Sequence, residues 1–307
     1  MLVSGLFWQR TAHALIERAR AGALSIVSRP TLLAGQMRAR EGAPRPRARR
    51  LPFARRTDEG GLNAMEMTAD ERRIHDAALK FARENKRQRC IALTDISVFL
   101  PEEHPVSVFM AGSPGAGKTE SSKELIVELE ARTPGSRVLR IDPDDLRGEF
   151  PEYDGKNSWL FQGAASIWVD RMLDLAFSQS QSFILDSTLS DLDRAKKNID
   201  RCLKHGRDVQ ILYVYQDPLL AWQFVQAREA EEGRHISPER FIEIYFRARE
   251  VVNALKAEFG PKISVDLLFK PNDSTAKLSK VGIDKIDYHV PERYSREELA
   301  QLLPHPT

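Results

Sequence analysis

Lys118 and Thr119 close the stretch Gly112-Ser-Pro-Gly-Ala-Gly-Lys-Thr119, an order of residue types that suits the handling of phosphate. Glycines there let the backbone turn tightly and approach a ligand, so that successive N–H groups form an anion nest. The apolar run Val106-Ser-Val-Phe-Met-Ala111 precedes the turn and good helix formers follow it. That is the strand–turn–helix context the P-loop pattern requires, and the helix start adds its partial positive charge. Gly112, Ser113, Pro114, Gly115, Ala116, Gly117, Lys118 and Thr119 are therefore expected to bind a nucleoside triphosphate. Within the set, Lys118 is placed to reach the β- and γ-phosphates and the Thr119 hydroxyl to ligate Mg²⁺.

Carboxylates recur at the ends of the next two strand-like runs. Asp142 and Asp144 follow Arg137–Ile141; they share a side if the chain stays extended, which Pro143 encourages. A carboxylate at that end can accept the proton of a hydroxyl that receives phosphate. Asp145 points elsewhere and reads as the cap of a short helix after it. Asp186 closes the run Phe183-Ile-Leu185, a Walker-B-like placing from which an acid holds Mg²⁺ or orients the nucleotide site. Thr188, two residues on, looks the same way and can hydrogen-bond a substrate, while an N-cap role for Ser187 or Thr188 competes with that reading. Arg228 and Arg234 flank a break in the helical pattern around Gly233, where guanidiniums can close over a triphosphate. His235 reads as a surface residue, Lys196-Lys197 as a charged helix face, and Trp159, Trp168 and Trp222 as core.

The elements that would position these groups alternate. Thr68 to Glu71 is a capping box that opens a helix to about Lys86, and residues 87–105 lead into the P-loop strand. After the P-loop helix come strands at Arg137–Ile141, Ser182–Leu185, Val209–Tyr215 and Ile263–Phe269, separated by helices at Ser158–Phe177, Leu192–Lys204, Pro218–Glu231 and from Pro238 to about Phe259. A hairpin-like segment and a last helix after Ser295, again with a capping box, finish the chain. Strands alternating with helices predict a parallel sheet covered on both faces, with sites at the strands' carboxyl ends. The expected class is α/β, a three-layer P-loop NTPase or kinase fold with a central, mostly parallel sheet.

Charge divides the chain. Residues 1–64 carry 12 Arg, no Lys and 4 acids, whereas residues 65–307 carry 34 basic and 40 acidic residues. The first part shows no sustained amphipathic period after about Gln36 and reads as a disordered Arg-rich extension, consistent with a start at Met65 or Met67. The expected organisation is the extension over 1–64, a helix and connector over 65–105, a kinase domain over 106–290 and a C-terminal helix over 291–307. A mildly acidic body does not favour nucleic acid as a partner. No apolar run is long enough to span a bilayer, and Cys90 and Cys202 have no partners at metal-ligand spacing, so a reducing cytoplasm is the expected location.

Several motifs in order make residues 104–260 resemble the zeta toxin family of P-loop kinases. Gly112 to Thr119 is close to that family's P-loop, with Ala116 where Ser is common. Ile141-Asp-Pro-Asp144 with Phe150-Pro-Glu-Tyr153, Leu185-Asp-Ser-Thr188 and Gly233-Arg-His-Ile-Ser-Pro238 resemble its later elements, with Ser187 replacing a glycine and Asp186 a glutamate. The resemblance implies ATP- or GTP-dependent, Mg²⁺-assisted phosphorylation of a sugar hydroxyl on a UDP-N-acetyl-sugar, typically UDP-N-acetylglucosamine. It implies Asp144 as general base, Lys118 on the triphosphate, Thr119 on Mg²⁺, Asp186 and Thr188 at the metal and substrate side, and Arg228 and Arg234 as lid arginines. Asp142 joins the substrate side in this reading. The resemblance further implies a small antitoxin as partner. The alternatives are a P-loop kinase acting on another small molecule or nucleoside, and a nucleotide-binding regulatory module without phosphoryl transfer.

Overall fold

Strand β1 (Val106–Ala111) is buried along its whole length, as a run of apolar residues flanked by partners on both sides must be. Helix α1 (Ala69–Leu93) precedes it. After it come α2 (Lys118–Arg132), β2 (Leu139–Ile141), α3 (Pro143–Arg147), α4 (Gln162–Ser178), β3 (Phe183–Leu185), α5 (Leu192–Lys204) and β4 (Asp208–Tyr215). The chain continues through α6 (Pro218–Glu232), α7 (Pro238–Phe259), β5 (Ser264–Phe269), β6 (Ser279–Lys280) and α8 (Arg296–Leu302). The computed structural model describes residues 67–132, 135–233, 235–270 and 279–304, together with 9, 11–14 and 17.

The six strands form one sheet in the order β2-β3-β1-β4-β5-β6. Every neighbouring pair is parallel except β5 with β6, where Leu267 and Leu268 face Lys280 and Ser279 antiparallel. Strand period then sorts the side chains onto two faces. Phe109, Ala111, Ile211, Tyr213, Val265 and Leu267 join one buried cluster with residues of α1, α4, α5 and α7. Val108, Met110, Leu212, Val214 and Leu268 join a second cluster with Leu125 and Leu129 of α2. The chain is therefore an α/β protein with helices on both faces of a mostly parallel sheet, as the alternating pattern predicts.

Local chemistry explains the boundaries. Thr68 and Glu71 close the capping box in both directions at the start of α1, and Ser295 with Glu298 does the same for α8. Ser237 caps α7 with Pro238 in its first turn, where a missing N–H costs nothing. Helix α1 belongs to the main core: the Trp168 indole donates to the Ala82 carbonyl at 3.0 Å, and the Phe150 ring lies 4.5 Å from that of Trp168. Burying side chains of that size contributes about 2–3 kcal/mol each.

One expectation needs correction. Trp159 is 37% exposed rather than core. Residues Ser158–Phe161 form a 3₁₀ turn ahead of α4, and its tighter period turns Leu160 and Phe161 inward while Trp159 faces out. The expected extension over 1–64 lies mostly outside the described residues. Residues 9, 11–14 and 17 are helical, Thr11 and Ala12 are fully buried, and Ala12 belongs to the cluster on the α2 face of the sheet. A small side chain there packs against an apolar strand surface. The other residues of 1–64, and with them the question of a start at Met65, lie outside the described residues.

The amino end of the sheet is clasped by Arg207. Its guanidinium donates to Ser107 Oγ at 2.7 Å and to the carbonyls of Val106 and Gln181 at 3.1 and 2.6 Å. It also lies over the rings of Phe177 and Phe183. Burial pushes the guanidinium down to about 10. Removing it strands buried acceptors. Arg207→Ala is expected to lower unfolding free energy by about 3 kcal/mol, measured by urea denaturation.

Candidate active site

The carboxyl ends of β1, β2 and β3 lie side by side because of register. Phe109 pairs with Leu185, and Leu185 pairs with Ile141, so these three residues share one rung. Asp142 and Asp186 each stand one residue past that rung, and the Asp186 N–H donates to the Ile141 carbonyl at 2.9 Å. Two acids distant in sequence are thereby neighbours beyond the sheet edge, where α/β proteins bind ligands.

Beside them the chain after β1 folds as the P-loop. Gly112 (φ 135°) and Gly115 (φ 71°) have left-handed backbones, and a Cβ on either would strike a carbonyl, that of Val214 at 2.3 Å or of Ala221 at 2.1 Å. Only glycine fits both the torsion and the space. The Ala116 N–H closes the turn on the Ser113 carbonyl at 3.3 Å, and the Gly112 N–H donates to the Thr188 carbonyl at 3.2 Å, tying the loop to the segment after β3. Lys118 and Thr119 begin α2, and Lys118 Nζ donates to the Ser113 carbonyl at 2.6 Å, across the loop. Burial lowers the Lys118 ammonium to about 8. Asp186, Asp144 and Asp142 oppose that shift by attraction, and Arg228 adds to it by repulsion. These electrostatic neighbours bring together Lys118, three acids and Arg228, five of the expected site residues.

The acids differ in environment. Asp142 caps α3, accepting the Asp144 N–H at 2.8 Å. Burial, then the charges of Asp186 and Asp144, push its carboxyl up to about 6 against the pull of Arg140. Asp144 lies in the first turn of α3, its Oδ1 held by Arg147 Nη1 at 2.7 Å. Asp142 before Pro143 is extended, but Pro143 itself opens the helix, so the chain is not extended through Asp144. Asp142, not Asp145, is the cap, and Asp145 pairs with Arg140 at 2.5 Å. Asp186 is buried, with Oδ2 accepting from Ser122 Oγ at 2.9 Å and from Arg140 Nη2 and Nε at 2.9 and 3.3 Å.

Thr188 lies within hydrogen-bond distance of Ser190 Oγ, at 3.0 Å. Neither Ser187 nor Thr188 caps a helix, since Asp191 caps α5. The chain turns at Leu189 with φ 52°, a left-handed torsion that costs a leucine about 1 kcal/mol or more. Gly233 (φ 73°) ends α6, and His235 contacts Glu229 at the surface. Arg234 lies outside the described residues. Arg140 and Ser122 escaped the sequence reading, although an arginine two residues before Asp142 in an apolar strand was a signal for the first.

A hard cation fits these donors: the Thr119 hydroxyl and the Asp186 carboxylate are oxygen ligands of the kind Mg²⁺ takes alongside phosphate and water. Among the described residues, no three His, Cys, Asp or Glu side chains surround a point that could hold a metal. Nor is any described helix long and apolar enough to cross a membrane.

A model of the zeta toxin family matches residues 91–280, more than half of the 307 residues. No curated protein matches. Among solved structures the chain is similar to one from the PezAT chromosomal toxin-antitoxin system of the human pathogen Streptococcus pneumoniae. Identity there is 16% and TM-score 0.51, over 77% of this chain and 94% of that one. It is also similar to the AvrRxo1-ORF1:AvrRxo1-ORF2 complex with sulphate ions (16% identity, TM-score 0.46, 74% and 73% covered) and to the same complex with ATP (16%, 0.44, 71% and 68%).

The state of Lys118 gives nucleotide binding a pH signature. Its ammonium is lowered to about 8 in the free protein, and a bound triphosphate favours the charged form. Binding therefore takes up a proton above pH 8. Affinity for ATP is expected to be flat below about pH 7 and to weaken by up to about tenfold per unit above pH 8, read by calorimetry across buffers. An affinity independent of pH from about 7 to 9.5 would contradict the assignment.

Proposed function

The chain belongs to the zeta toxin family, and on that premise we propose that it is an ATP- or GTP-dependent kinase acting on a sugar hydroxyl of a UDP-N-acetyl-sugar, UDP-N-acetylglucosamine. The observation that carries the proposal is the gathering of Asp142, Asp144, Asp186 and Arg228 within the electrostatic reach of the P-loop lysine. A P-loop alone supports binding. Carboxylates on the adjoining strand ends add what phosphoryl transfer to a hydroxyl needs, a proton acceptor beside the γ-phosphate.

In this reading the P-loop N–H groups and Lys118 hold the β- and γ-phosphates. The acceptor hydroxyl, oriented by Asp142 and Thr188, gives its proton to Asp144 as its oxygen bonds to the γ-phosphorus. The bond from that phosphorus to the bridging oxygen breaks, and the nucleoside diphosphate leaves. Arg147 fixes Asp144 through Oδ1, which holds the base in one orientation. Arg228 and Arg234 stabilise charge spreading over the transferred group. Mg²⁺ held by Thr119 and Asp186 would neutralise phosphate charge. The proposal includes a small antitoxin as partner and a cytoplasmic site of action. The similar fold from a toxin-antitoxin system supports the first.

Mass spectrometry after incubation with ATP, Mg²⁺ and a mixture of UDP-sugars tests the reading. UDP-N-acetylglucosamine is expected to gain one phosphate. Asp144→Asn should lower kcat about 10²- to 10⁴-fold with nucleotide affinity little changed, whereas Lys118→Ala should weaken both. Turnover confined to nucleosides or other small molecules would overturn the acceptor assignment. Tight ATP binding without turnover of any acceptor would overturn the kinase reading itself.

A further inference from the structure

Arg140 is the most heavily engaged side chain of the site. It lies in β2 between Leu139 and Ile141, which both enter the opposite cluster, so strand period turns it to the α2 face with Asp142 and Asp186. Its guanidinium is 14% exposed and pairs with three carboxylates. Nη2 bridges Asp142 and Asp186, Nη1 takes Asp145, and Nε reaches Asp186 and Ser122 Oγ. One Asp186 oxygen thus accepts from two guanidinium nitrogens and a hydroxyl at once. Two of the three acids are almost fully buried, and buried carboxylates stay ionised together only beside a cation.

We infer that Arg140 is an internal counter-cation, seated where the strand-end carboxylates would otherwise gather a divalent ion. The inference deepens the kinase reading of this site and rests on it. A guanidinium is permanently charged and presents its donors in a fixed fork, so it offsets part of the charge of Asp142 and Asp186 without an exchangeable ion. Among the described residues, the acids converge on these nitrogens and not on a common metal point. In this inference the divalent cation arrives with the triphosphate, at Thr119 and Asp186, and is not resident beforehand. Arg140 is a positioning residue: it acts on Asp142 and Asp186 and leaves Lys118 bonded to the loop carbonyl of Ser113.

Mn²⁺ titrations followed by electron paramagnetic resonance test this without turnover. Nucleotide-free wild-type protein is expected to bind Mn²⁺ no tighter than about millimolar, and to acquire one strong site when a non-hydrolysable ATP analogue is added. Arg140→Gln uncovers the carboxylates and should tighten nucleotide-free Mn²⁺ binding about tenfold or more, whereas Arg140→Lys keeps the charge and should stay near wild type. Circular dichroism reports which variants are folded. Micromolar Mn²⁺ binding by nucleotide-free wild type overturns the inference, whatever becomes of the variants. So does a folded Arg140→Gln protein that binds Mn²⁺ no better than wild type. Failure of the ATP analogue to bind at all would count against the kinase reading, while the nucleotide-free titrations still judge Arg140.

Discussion

Parallel pairing of β1 with β3 and β4 is the constraint on which the rest of the molecule depends. A parallel ladder needs crossovers, so helices separate the parallel strands along the chain, and the carboxyl ends of those strands finish on one side. Because β1 is central and buried, the turn after it cannot drift. Its glycines press against the carbonyls of Val214 and Ala221, and its first N–H is tied to Thr188. Register then does the rest. Ile141, Leu185 and Phe109 share a rung, so Asp142 and Asp186, each one residue past it, meet beside the end of β1.

Asp142, Asp186 and the nearby Lys118 carry charge, and their arrangement is a balance of desolvation against pairing. Burial lowers the Lys118 ammonium and raises the Asp142 carboxyl, in each case against the charged form. Arg140 and the acids around Lys118 oppose these shifts without cancelling them. A site held in that state gains from a triphosphate, whose negative charge restores the preferred charge on the lysine. The same logic applies at the end of the sheet away from the site, which is closed by Arg207. That cation donates to two carbonyls and a hydroxyl, and burial outweighs the attraction of Glu102 to lower it.

Much of this was legible in the residues. The capping boxes at Thr68 and Ser295, the cap at Ser237 with Pro238, and the alternation of apolar strands with helices depend on neighbours within a few positions, and all formed where their local chemistry points. Lys118, Asp142, Asp144, Asp186 and Arg228 stood out because their types and spacing suit phosphate chemistry, and the fold brings them together. Pro143 misled because the same residue suits an extended chain and a first helical turn equally. Asp142, with a side chain able to cap, decided between them. Trp159 misled because burial of a tryptophan is a tendency that a single 3₁₀ turn reverses.

The sequence by itself determined the elements, their order and the phosphate-binding turn, since each arises from short-range sterics, periodicity and capping. Only the tertiary structure decided which charges meet. Arg140 and Asp186 are 46 residues apart, and nothing in the composition of either strand says that β3 lies between β2 and β1. Sheet order is set by how helices pack on two faces at once, a property of the whole core. Once that order exists, a lone arginine in a three-residue strand becomes the counter-charge of the site.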